Sequence, residues 1–307
     1  MEATVKLLFF DDYKFGVMKG DNVVDCSDVV NDIPHVEPQN IISGVIENWD
    51  SYRPKLEAKV ASSAGVPLSG VRVRAPSPKP RRVVCMAVNY NDGMAVSRGA
   101  DSFHKTPDAV IGDGDTMVLG DIPASVFEGE AELALVIGKK ARNVSPEDSE
   151  SYIFGYTNFI DGSARGMPIA GFYSMKSRAT YAPIGPFIVT KDEIADPNNL
   201  RVRLWNNEEL MQDYTTADMA TKIPDCIAFV TKAHEMEPGD ILALGTNHRG
   251  LHPFQDGHSV ELETEGLGRL HIKIQDDLKR TWERQTRIAR KEAGLEGLPP
   301  QLTGKYA

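Results

Sequence analysis

Three acidic residues carry the chemistry this sequence offers. Glu130 and Glu132 stand two apart in Phe127-Glu-Gly-Glu-Ala-Glu-Leu-Ala-Leu-Val-Ile-Gly138, and Asp161 follows in Gly155-Tyr-Thr-Asn-Phe-Ile-Asp-Gly-Ser-Ala-Arg165. Each lies in or at the end of an apolar run that reads as a strand, where burying several carboxylates together is costly unless a cation neutralises them. Residues i and i+2 of a strand share a face, so Glu130 and Glu132 converge on one point. Oxygen donors with no Cys or His nearby favour Mg2+, with Mn2+ or Ca2+ as substitutes, and argue against zinc. The spacing alone also fits the polar face of an edge strand, and Glu128 leaves the register open.

The elements that must position these groups are mostly strands. Residues 4 to 26 read as short strands with a reversal at Gly20-Asp21-Asn22. Ile42, Val45, Ile46 and Trp49 mark a helical face, and Ser51 and Pro54 suggest a second helix start. Residues 1–74 are therefore expected to form a small N-terminal β/α domain, and the proline-stiffened 75–82 a linker. Within 83–275, apolar runs at 83–88, 131–137, 154–159, 187–190, 200–205, 241–244, 259–264 and 269–274 predict strands. Helices are expected only after Ser145-Pro146 and from Pro224 towards His234. The class is α+β and β-rich, with no alternating βαβ pattern. Residues 276–307 are expected to be a helical tail: Lys279, Arg280, Arg284, Arg287, Arg290 and Lys291 accompany a meagre apolar face of Leu278, Trp282 and Ile288. Such a helix is expected to dock on its own body or on a sister subunit.

The segments around Glu130 and Asp161 resemble the fumarylacetoacetate hydrolase family. Further matches follow in order: Lys176-Ser before Thr180-Tyr-Ala-Pro-Ile-Gly-Pro, Gln212-Asp213 before Thr216, Glu237-Pro-Gly-Asp, and Leu244-Gly-Thr246. The resemblance implies the family's mixed β-sandwich roll and a metal held by Glu130, Glu132 and Asp161. It also implies a reaction on a small diketo or 2-oxo acid, whose bond breakage leaves enolate charge that the metal stabilises. Lys176 matches a family lysine near the metal, Thr246 the loop that holds a substrate carboxylate, and Tyr90 a substrate-binding position. Arg165 is either a carboxylate anchor or the partner of a structural acid.

The chain also departs from the family pattern. Where the family carries a histidine three residues after the Asn-Tyr of its strand end, Asn89-Tyr90 leads here to Gly93, and Met94 to Ser97 bring no acid. The usual general base is missing, a loss worth roughly two to four powers of ten in rate unless something replaces it. His248, in the loop Leu244-Gly-Thr-Asn-His, and His104 are the candidate replacements. Asp92 and a metal-bound hydroxide are further alternatives.

Bulk properties narrow the clients. The 307 residues are 41% hydrophobic, ample for a buried core, and carry a net charge of −10, which disfavours nucleic acid and anionic membranes as partners. No Walker-type lysine loop or strand-linked G-x-G-x-x-G implies a nucleotide. Cys26, Cys85 and Cys226 read as core thiols of a reducing cytosol, and the apolar stretch from Val5 to Phe10 is too short for a signal peptide, so a cytoplasmic protein is expected. The expected client is a small anionic substrate, and the resemblance implies a homodimer. Three functions remain open: a hydrolase cleaving a carbon–carbon bond in an acylpyruvate-like acid, a hydratase, isomerase or decarboxylase on the same metal site, and an inactive paralogue.

Overall fold

The computed structural model describes residues 5–92, 99–169 and 171–307. Among these, a large sheet runs through the molecule, with the long antiparallel strands Val126–Ile137 and Ile153–Arg165 at its centre. On one side of this pair lie Ala182–Thr190 and then Lys6–Phe10, Lys14–Lys19 and Asn22–Asp25; on the other lie Ile241–Ala243, Val83–Ala87 and Asp101–Lys105. A second, five-stranded sheet contains Arg201–Asn206, Glu209–Thr215, Ser259–Thr264 and Arg269–Gln275. The protein is a strand-rich α+β molecule.

Strand alternation decides what each face buries. Leu7, Phe9, Val83, Cys85, Ala134 and Val136 share one core with Ile42, Val45, Ile46 and Leu56 of the helices Pro38–Glu47 and Trp49–Ser62. Leu8, Phe10, Val84, Met86, Leu133 and Leu135 face the other way, against Cys226, Ile227 and Val230 of the helix Ile223–Ala233. A third core joins Val126, Phe127, Ala131, Ile160 and Ala164 to Val202, Leu204, Val260, Leu262 and Leu270 of the second sheet. The three cysteines are free and buried.

The structure differs from the sequence expectation in several places, among them the strands Asp101–Lys105 and Glu209–Thr215, which no apolar run marks. Residues 1–74 do not build a sheet of their own: Lys6 and Leu7 pair with Val189 and Ile188, so the N-terminal strands extend the central sheet. Ser145-Pro146 opens a side-chain-capped turn, in which Ser145 Oγ accepts from Asp148 N, followed by the short 3-10 helix Ser149–Tyr152. The tail is largely irregular, and its Arg280 and Trp282 are drawn into the body. Arg280 pairs with Asp276 at 2.9 Å, both side chains fully buried, and Trp282 Nε1 donates to the Ser125 carbonyl. Thr281–Trp282 pairs with Gln301–Thr303, and the only tail helix is Arg287–Glu292. It docks on the protein's own body.

Candidate metal centre

Cross-strand register assembles the acidic residues. Glu130 lies directly opposite Asp161, Glu132 opposite Phe159 and Glu128 opposite Ser163, and opposite residues of an antiparallel pair share a face. Oxygens of Glu130, Glu132 and Asp161 all fall within 4.8 Å of one another, and all three residues are buried. The reverse face is kept flat by Gly129 and Gly162: a Cβ at Gly129 would meet the Phe254 ring at 2.3 Å, and one at Gly162 the Met117 methyl at 2.7 Å. Glycine there lets the second sheet pack close behind the carboxylates.

The strand is pinned between its two glutamates. Ala131 N donates to Gln212 Oε1 at 3.1 Å, and the Tyr214 hydroxyl donates to the Ala131 carbonyl. Gln212 Nε2 also donates to Thr246 Oγ1 and the Asn247 carbonyl, each at 2.9 Å, and Thr246 Oγ1 donates to Tyr214 at 3.4 Å. Side chains thus supply the backbone bonds that the neighbouring strand Ile241–Ala243, which meets this strand at residues 134–136, does not reach. Thr246, expected to hold substrate, spends its hydroxyl in this internal chain. Gly245 adopts φ +86°, and its amide donates to Glu132 Oε2 at 2.7 Å. A side chain there would be strained by that φ and would crowd Asn89 Cβ at 3.0 Å.

Cations surround the carboxylates. Lys176 Nζ lies 2.6 Å from Glu130 Oε1 and 2.5 Å from Asp161 Oδ2. Lys105 Nζ is 2.6 Å from Asp161 Oδ1 and donates to the carbonyls of Gly162 and Lys176. Arg165 bridges Glu128, at 2.7 Å, and Glu130, and Arg287 takes the remaining side of Glu128. Of the two roles open for Arg165, pairing with acids is the one its contacts display.

Electrostatics separates the acids. Burial alone would raise Glu130, but the charges of Lys176 and Arg165 outweigh it and hold the carboxyl below the usual carboxylate range. Glu128 is likewise held low, against burial, by Arg287 and Arg165. Glu132 goes the other way: burial and the charges of Asp161 and Glu130 push it well above the carboxylate range. Its Oε1 is buried without a hydrogen-bond partner among the described residues. A divalent cation fits this donor set, because three clustered hard oxygens include one that only a further positive charge satisfies.

The candidate bases separate cleanly. His248 Nδ1 lies 2.8 Å from Asp92 Oδ2, its backbone N–H donates to Asp92 Oδ1 at 2.9 Å, and a charged His248 would lower Glu130. His104 is exposed and packs on His234 with ring centroids 4.8 Å apart. Side chains alternate along Asp101–Lys105, so Phe103 and Lys105 point inward and His104 cannot. Its ring therefore faces away from the carboxylates, and Lys105 takes the inward place. Tyr90 is buried edge-to-face against Tyr214 with ring centroids 5.0 Å apart, and burial pushes its hydroxyl well above the usual phenol range. Gly93, where the family histidine would stand, lies outside the described residues.

Known proteins are similar to this chain in sequence and fold. The sequence model described as fumarylacetoacetate (FAA) hydrolase C-terminal matches residues 82–275. The maleylpyruvate hydrolase of Aquipseudomonas alcaligenes is 29% identical over 288 residues, covering 88% of this chain and 99% of that protein. The oxaloacetate tautomerase YisK of Bacillus subtilis (strain 168) is 34% identical over 224 residues, 67% of this chain and 74% of the relative. Among solved structures, the maleylpyruvate hydrolase from Sphingobium sp. SYK-6 in complex with manganese (II) ion and pyruvate superposes with a TM-score of 0.81 at 31% identity. That match covers 88% of this chain and 99% of that one.

Proposed function

Because the chain belongs to the fumarylacetoacetate hydrolase family, we propose that it is a divalent-metal-dependent hydrolase cleaving a carbon–carbon bond in an acylpyruvate-type diketo acid, with Mg2+ as the working ion and Mn2+ or Ca2+ as substitutes. The observation that carries this reading is the His248–Asp92 pair beside the carboxylate cluster. Asp92 accepts from Nδ1–H and leaves Nε2 as the basic nitrogen, the arrangement a water-activating histidine requires. A maleylpyruvate hydrolase as a relative over nearly its whole length supports the same choice.

Glu130, Glu132 and Asp161 would hold the ion, which when bound supplies Lewis-acid polarisation of the oxygens of a 2-oxo acid. His248 Nε2 removes a proton from water, the oxygen adds to the acyl carbonyl, and the bond from that carbon to the adjacent methylene breaks. The electron pair passes to the pyruvate fragment as its enolate, and a proton delivered to the methylene carbon completes pyruvate. Lys176 and Lys105 are the fixed positive charges nearest Asp161 and favour the anionic fragment.

A proton NMR time course with maleylpyruvate and simpler acylpyruvates, in Mg2+ or Mn2+, tests this. Pyruvate and the complementary acid are expected to appear in equal amounts. Enol–keto interconversion of oxaloacetate without any cleavage of acylpyruvates would replace the reading with a tautomerase.

A further inference from the structure

We propose that Arg287, delivered by chain beyond the family match, reads a second carboxylate on the substrate, so that the site prefers 2-oxo dicarboxylic acids to their monocarboxylic counterparts; this rests on the functional reading above. The family segment ends at residue 275. Arg287 N donates to the Leu251 carbonyl at 2.8 Å, and Thr286 Oγ1 caps the short helix through Ala289 N, so the tail is fastened beside the turn that carries His248.

Arg287 and Arg165 are held side by side. Both donate to the same oxygen, Glu128 Oε2, at 2.5 and 2.7 Å, while Arg165 also reaches Glu130. Nη1 of each guanidinium has no partner among the described residues. Exposure of the side chains rises outward from the cluster: Lys105 0%, Glu130 7%, Arg165 20%, Arg287 31%. This gradient marks the two arginines as the rim. Glu128 is one same-face strand step from Glu130, roughly 7 Å, so a substrate lying over Glu130 and Asp161 has its far end at Arg287.

The charges agree. Once a bound cation ionises Glu132, the paired cations Lys105, Lys176, Arg165 and Arg287 balance the carboxylates Glu128, Glu130, Glu132 and Asp161, four against four. A divalent ion added to this neutral set leaves two positive charges, and a dianion cancels both where a monoanion cancels one. Two guanidinium forks provide the planar, multidentate recognition that a carboxylate takes best.

The test is calorimetric binding, in Mn2+, of 2-oxoheptanedioate and 2-oxoheptanoate, which differ only in the terminal carboxylate and carry no cleavable 1,3-diketone. The wild-type protein is expected to bind the diacid about 10- to 100-fold more tightly. Arg287→Gln is expected to collapse that ratio towards one, and Arg287→Lys, which keeps a charge against Glu128 and guards against loss of folding, to retain only part of it. Equal affinities in the wild-type protein, or an undiminished ratio in either folded variant, would overturn the proposal while leaving the hydrolase reading standing. Binding of neither acid would remove both.

Discussion

At the scale of single residues, the site turns on which groups are left needing a partner. Glu132 Oε1 has none among the described residues, and the carboxyl is pushed up by burial and its acidic neighbours. Asp161, by contrast, is gripped by two buried lysines. Lys105→Met should therefore destabilise the apoprotein by about 3–5 kcal/mol, the cost of stranding one side of a buried carboxylate; a urea midpoint matching wild type would contradict this placement. His248→Ala should keep the fold and lower kcat by about two to four powers of ten, since Asp92 and the imidazole act together. Single-turnover cleavage at the wild-type rate would remove His248 from the mechanism. The sequence displayed Glu130, Glu132, Asp161 and Lys176 because each sits in a run of local motif. Lys105 was illegible, since its role comes from the inward side of a strand whose neighbours, Ser102 and His104, look equally polar.

At the scale of elements, the E-x-E strand owes its geometry to side chains from the second sheet. Gln212 and Tyr214, alternate residues of Glu209–Thr215, bracket Ala131 between the two glutamates. Tyr214→Phe removes the donor to a buried carbonyl and should cost about 1–3 kcal/mol in chemical denaturation. Weakened Mn2+ binding should accompany that loss, because the glutamates are no longer held at one spacing. Unchanged stability together with unchanged Mn2+ affinity would show the bracket to be idle. The eight apolar runs inside 83–275 are strands, and the first two helices were readable too, because burial and period coincide there; Asp101–Lys105 and Glu209–Thr215, polar strands that carry Lys105, Gln212 and Tyr214, were not. The tail misled for a physical reason. Its charge pattern satisfies a helical wheel, yet Arg280, paired with Asp276, is also buried on the Gly120 and Ile122 carbonyls and stacked 4.6 Å from the Phe127 ring, contacts with residues far off in sequence that no local pattern encodes. The continuity of the N-terminal strands with the central sheet was hidden likewise, because it depends on the pairing of Leu7 with Ile188.

At the scale of the whole molecule, a chain of net charge −10 concentrates positive groups at one rim while its other ionisable groups set its acid tolerance. The decisive pair is His252 and His258, both buried and both lowered by burial from 6.5 to about 4. Asn206 Nδ2 donates to His252 Nε2 at 2.9 Å and to His258 Nδ1 at 2.8 Å, and His252 Nδ1 donates to the Gly250 carbonyl. These bonds require neutral imidazoles with those nitrogens unprotonated. The facing charges are divided: Arg284 opposes protonation of both, and Glu128 favours that of His252 but is already paired with two arginines. Above pH 6.5 neither the folded nor the unfolded chain protonates these groups, and their full contribution to stability is present. Between 6.5 and 4 the unfolded chain takes up protons that the folded one refuses, so stability falls as pH falls, by roughly 2 kcal/mol per histidine on reaching pH 5. His271 works in the opposite sense, raised by its hydrogen bond to Asp113, but its side chain is about half exposed and solvent weakens the effect. The buried carboxylates Glu128 and Glu130 are held low and lose their contribution only below about 4.5, their unfolded value, whereas Glu132 and Asp240, raised by burial, oppose the histidines by favouring the folded chain as pH falls towards 4.5. Urea unfolding at pH 7.5, 6 and 5 isolates the histidine contribution as a difference: on going from pH 7.5 to 5, His258→Asn should lose about 2 kcal/mol less stability than wild type. A stability of His258→Asn that runs parallel to wild type from pH 7.5 to 5 would mean the Asn206-centred pair does not remain neutral in the folded protein.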